Sequence, residues 1–129
     1  MGHPIQIILA RQLATQLSVP VFLVDPEGTL LFYNEPAETV LGRRFDDTGE
    51  MPAEDWSSMF LPVDDQGELI PPNDLPLMVT LKTHQPAHKH FTIKGLDGAA
   101  RKIGVTSIPF SGLKGEFLGA AALFWELPP

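Results

Sequence analysis

No cysteine occurs among the 129 residues. That removes a disulfide framework, a Cys-ligated zinc site, a thiolate nucleophile and any thiol adduct with a cofactor. No apolar run approaches the roughly 20 residues a bilayer span requires. The one stretch that resembles a leader, Ile5 to Ala10, lacks a basic flank and a small-residue cleavage site. The chain is therefore expected to be cytoplasmic, with no membrane contact. Positive charge is missing over a long segment: between Arg44 and Lys82 there is neither lysine nor arginine, while acidic residues recur from Asp46 to Asp74. The net charge is −7. A polyanion would be repelled by such a surface, so nucleic acid is not expected as a direct partner.

Chemistry-bearing patterns are equally sparse. There is no GxSxG elbow and no glycine-rich phosphate cradle, and Thr106, Ser107 and the histidines form no nucleophile arrangement. An enzyme is not expected, and no catalytic residue is assigned. His88 and His90 lie two apart on an expected strand and so share a face, but a metal site needs a third ligand that no neighbour supplies. They are read as a solvated or pH-responsive pair, and no metal is assigned. Asp64-Asp65-Gln66-Gly67 lacks the alternating oxygens and closing glutamate of a calcium loop and reads as a turn.

What remains is an ordinary globular composition, 43% hydrophobic and 19% charged, long enough for one domain. Residues 5 to 17 place Ile5, Ile8, Leu9, Leu13 and Leu17 at helical spacing, with Ala10 and Ala14 beside them. Pro20 ends this amphipathic helix. Its stripe must be covered either by the domain's own sheet or by the same helix of a second chain. A homodimer through those five side chains is the expectation, because so short a chain has few means to cover them.

Val21 to Val24 is an apolar run that stops at Asp25-Pro26-Glu27-Gly28, and Thr29 to Tyr33 runs back as a hairpin partner. Asn34, Pro36 and Gly42 punctuate a short helix, Glu35 to Leu41, as N-cap, first-turn proline and C-terminal glycine. Residues 43 to 72 read as short helical turns and loop around Trp56, Met59, Phe60 and Leu61. Asn73 or Asp74 is then expected to cap a helix reaching Thr83, with Leu75, Met78, Val79 and Lys82 at helical spacing. Strands His88 to Lys94 and Arg101 to Phe110 flank the hairpin signal Leu96-Asp97-Gly98, with Pro109 closing the second strand. Phe117 to Trp125 is nearly continuous in apolar residues and so is expected in the middle of the sheet.

Two strands, a helical crossover and three further strands, read over residues 19 to 126, resemble the PAS family in its bacterial signalling form. The matching stretches are VD-PEG-TLLFYNEPAETVLG, IPPNDLPLMVTLKTHQP, GLDG with RKIGVTSIPF, and GEFLGAAALFW. The resemblance implies an α+β fold: a five-stranded antiparallel sheet, the crossover on one face, and the amphipathic helix of residues 1–18 ahead of a domain at 19–127. It also implies a sensory domain that binds a small molecule between sheet and helices and relays to an output partner. The alternative is a dimerisation module with a filled core. Candidate ligand contacts are Asn34, Trp56, Phe60, Met78 and Ser107.

The family's cofactor signatures are missing. Its light-sensing members react through cysteine, and its haem-binding members present an axial histidine from the long helix, where this chain has only His84 at the end. Trp56 and Asn34 keep a non-covalent flavin open, and His84 is the residue a haem would need. A colourless protein is expected. After the final strand, Trp125-Glu126-Leu127-Pro128-Pro129 stands where the family has a helical linker, implying a free-standing protein or a fragment of a longer chain.

Overall fold

The computed structural model describes residues 5–59, 61–95 and 98–128. The expected ligand contact Phe60 and the hairpin residues Leu96 and Asp97 lie outside them. Helix α1 (Ile5–Gln16) precedes strands β1 (Val21–Val24) and β2 (Leu30–Tyr33). The crossover holds α2 (Glu35–Leu41), α3 (Phe45–Thr48), α4 (Ala53–Met59), a 3-10 turn at Pro72–Asp74 and α5 (Pro76–Thr83). Strands β3 (Ala87–Lys94), β4 (Ala100–Ser111) and β5 (Phe117–Glu126) complete an antiparallel sheet in the order β2-β1-β5-β4-β3. The chain is thus α+β, with the long, nearly continuous apolar strand β5 at the centre.

Local chemistry explains most boundaries. The Asp25 side chain accepts from the amides of Glu27 and Thr29, closing the first turn, and Asp64 does the same for Gln66 and Glu68. Gly42 adopts the left-handed conformation expected of a residue just past a helix end, and its amide returns to the Glu38 carbonyl.

Two expectations are corrected. Neither Asn73 nor Asp74 caps α5: Leu75, held extended at φ −72° and ψ 143°, is the residue before the helix. Pro76 enforces this, because its ring disfavours helical geometry in the residue ahead of it. Nor does Pro109 end its strand, since β4 continues to Ser111. Strand β3 stops at Ala87, opposite Ser107, so Pro109 lies beyond the end of β3. On that side its missing N–H forfeits no ladder bond.

The sheet has two differently covered faces. Toward the crossover, Phe22, Val24, Phe91, Ile93, Ile103, Val105, Ala122 and Phe124 join Trp56, Ile70, Leu75 and Leu77 in the main core. On the opposite face Ala14 of α1 packs on Val21, Leu23 and Ala121. The small alanine lets the helix approach closely, and Ile7 is buried with it. The predicted stripe points the other way: Ile5, Ile8, Leu9, Leu13 and Leu17 are 37–66% exposed. Periodicity located an apolar stripe, but Ile7, Ala10 and Ala14 form the side that meets the sheet.

Helix α5 likewise turns Leu77 and Thr80 inward, with Met78 and Val79 half-buried. Thr80 is tolerated in the interior because its hydroxyl pairs with that of Ser107, whose O–H donates to the Pro76 carbonyl at 2.8 Å. This polar knot ties α5 to β4.

Candidate functional site

Between the sheet and the crossover the side chains leave a cavity in which the centre of a water-sized sphere can move through about 80 Å³. One wall is the sheet: Phe22 from β1, Ala122 and Phe124 from β5, Ile103 and Val105 from β4, Phe91 and Ile93 from β3. The lid comprises Leu41, Trp56, Ser57, Pro62 and the run Leu75 to Leu77. Apart from Leu41, every lid residue belongs to the stretch without lysine or arginine. Among the described residues no charged side chain lines the space.

Trp56 is fixed in this lid. Its indole N–H donates to the Gly28 carbonyl at 2.7 Å, across the β1–β2 turn, and its ring meets Phe22 edge-on at 5.2 Å. Phe22 lies parallel to Tyr33 at 5.9 Å, Tyr33 meets Phe45 at 5.4 Å, and Phe45 meets Phe32 at 5.3 Å. The Arg11 guanidinium of α1 stands 4.5 Å above the Phe32 ring. Rings therefore run without a break from the cavity wall, past the β2 edge of the sheet, to the helix on the other face. Burial pushes the Tyr33 phenol above its ordinary pKa, and its hydroxyl donates to the Arg43 carbonyl at 2.9 Å.

Of the expected ligand contacts, the structure places Trp56 on the wall. Asn34, Met78 and Ser107 are not among the lining residues. Asn34 is fully buried, and its amide oxygen accepts from the Val21 and Ala37 amides at 3.0 and 3.2 Å. Its nitrogen donates to the carbonyls of Ala14 and Val19, both at 2.9 Å. The side chain is committed to holding α1, β1 and α2 together. Ser107 is committed to α5, and Met78 packs against the core from the outer side of that helix. The inward face of the central strands is an expected wall, but its individual residues on β3, β4 and β5 are not among the expected contacts, although the alternation of Phe91 with Ile93 and of Ile103 with Val105 carries the signal.

Neither flavin nor haem suits this lining. A flavin's pyrimidine edge needs several amide or hydroxyl partners, whereas Trp56 is already bonded and, among the described residues, Ser57 is the only other polar one in the lining. A haem needs an axial ligand, and His84, His88 and His90 are all exposed and off the wall. His84 instead occupies the left-handed position after α5 and stacks on Phe117 at 3.9 Å. His88 accepts or donates at Thr106 at 3.1 Å and lies over Trp125 at 6.0 Å, with His90 edge-on at 5.1 Å. Among the described residues no group of three or more His, Asp or Glu could hold a metal ion. No helix among them is long and apolar enough to cross a membrane.

Neither a family model nor a curated protein sequence matches the chain. Solved structures do. The PAS domain of Bordetella pertussis BvgS superposes with a TM-score of 0.65 at 18% identity, over 96% of this chain and 87% of that one. The Rhodobacter sphaeroides LOV protein gives 0.73 at 14%, over 97% and 69%. The PAS domain of an HTR-like protein from Haloarcula marismortui gives 0.62 at 16%, over 95% and 92%. With the strand order and the crossover already established, these likenesses make the fold of this chain that of a PAS domain.

Proposed function

We propose that the domain is a sensory module in which a small molecule, held in the cavity under Trp56, biases the position of α1 and through it an output partner. The observation that carries this reading is the unbroken run of rings from Trp56 and Phe22 to Arg11. Packed side chains with few alternative arrangements pass a displacement on rather than absorb it. The lid is built from short helical turns broken by Pro52, Pro62 and Pro71, so it opens at lower cost than the sheet. A guest that prefers one lid position shifts the population of the other.

We further propose a homodimer through Ile5, Ile8, Leu9, Leu13 and Leu17, which the exposed stripe of α1 supports. The stripe also favours a second reading, a dimerisation module that works without a ligand. Xenon separates the two, since apolar cavities stay dry and admit it. Amide spectra recorded under xenon pressure are expected to shift at the Trp56 indole and along α1 near Arg11. In Phe45→Ala, the cavity shifts should persist while those in α1 vanish. Cavity shifts with an unmoved α1 in the unaltered protein would sink the relay. An unresponsive cavity would leave the ligand-free module.

A further inference from the structure

We infer that the cavity takes a neutral, unbranched alkyl compound. This rests on the cavity reading above and narrows it to a ligand class. The wall draws on four adjacent strands, β1, β5, β4 and β3. We take the space to run across these strands, where three interstrand spacings of about 4.8 Å correspond to a slot roughly 14 Å long. Spread over that length, 80 Å³ leaves a sphere centre only about 6 Å² of cross-section. That is the width of a single row of methylene-sized groups. A chain threads it; a compact cage or a fused ring system of equal carbon number does not.

Charge fixes the other half of the class. Phe22, Ile93, Ile103, Val105, Ala122 and Phe124 offer the guest only hydrocarbon. Among the described residues no cation lines the wall, and the segment from 45 to 81 has none to pair with a carboxylate, while its acidic residues repel one. An ionised head would have to be desolvated without compensation. One uncharged polar group at an end of the chain is acceptable, because it costs far less to take out of water than an ionised head. A primary alcohol, ketone or amide at one end of the chain satisfies both conditions.

Three compounds of equal carbon number test this on the intact protein: 1-decanol, decanoate and 1-adamantanol, each titrated calorimetrically at pH 7 below its aggregation concentration. Decanol is expected to bind at least about tenfold more tightly than either of the others. Along a series of shorter alcohols, affinity should rise about fourfold per added methylene and level off once the chain fills the slot. Val105→Phe, which narrows the slot midway, should lower the carbon number at which the rise stops. If that variant fails to fold, the series on the unaltered protein decides alone. Equal binding of decanol and decanoate, tighter binding of adamantanol, or no dependence on chain length overturns the inference. Xenon uptake without decanol binding overturns the alkyl class and leaves the cavity reading standing, whereas failure of both removes that reading itself.

Discussion

Replacing Asn34 with alanine removes one side chain and four hydrogen bonds, two accepted and two donated. The lost N-cap at α2 alone costs about 1 kcal/mol. The Val21 amide and the Ala14 and Val19 carbonyls also lose their partner, at about 1 kcal/mol per net bond. The sum is roughly 3–4 kcal/mol, a large part of the 5–15 kcal/mol by which domains of this size are stable. Urea unfolding should show it as a lower midpoint with an unchanged slope.

Asn34→Asp separates the contributions. The carboxylate still accepts from Val21 and Ala37 but sets negative charge against two carbonyls where an amide donated. Faster hydrogen exchange should appear in the last turn of α1, while the first turn of α2 stays protected. A loss of about 1 kcal/mol or less for the alanine variant would show that Asn34 is a helix cap and nothing more, and would refute the three-way clamp.

Ser107→Ala should destabilise by about 1–3 kcal/mol, because it leaves the buried Thr80 hydroxyl and Pro76 carbonyl without their partner; thermal unfolding reads this, and Ser107→Thr should not restore it in so tight a space. The raised Tyr33 pKa means the folded state prefers the neutral phenol, so its contribution is complete below about pH 10 and is lost as pH climbs through the higher folded value. Urea midpoints followed from pH 8 to 11.5 should fall at the alkaline end, and Tyr33→Phe should flatten that fall. Gly104→Ala would bring a methyl within 2.6–2.8 Å of the Trp125 indole, which must swing off the sheet; its emission should shift to the red, checked in a Trp56→Phe background. The unaltered protein should sediment as a dimer and Leu9→Lys with Leu13→Lys as a monomer; a monomeric unaltered protein would refute the proposed dimer, and a variant that stays dimeric would refute the α1 contact.

Local signals in the sequence carried far: the cap, proline and glycine around α2 define it residue for residue, and the continuous apolar run of β5 places it centrally. What the sequence hid was set by tertiary partners. The inward face of α1 is made by Ile7 and two alanines, whose small volume counts for little in a periodicity argument but allows close packing on Val21 and Leu23. Thr80 looks like a surface residue until Ser107 arrives from 27 positions away. Asn34 shows the reverse: its capping role was local and legible, but the two carbonyls it binds belong to a helix end and a loop that only the fold brings near. The cavity's sheet wall was hidden for a similar reason, since strands far apart in sequence must be aligned before their alternate residues share a surface.

The pairing of β5 with both β1 and β4 has a kinetic consequence. Without the final strand the chain holds two separate hairpins, β1–β2 and β3–β4, with no hydrogen-bonded ladder between them. During synthesis neither half can complete its sheet until residues 117–126 have left the ribosome. Val21 pairs with Leu123, about as distant a pairing as the chain permits. Folding should therefore be slow for a domain of this length and should occur in one late step, with the apolar faces of both hairpins open to chaperones in the interval.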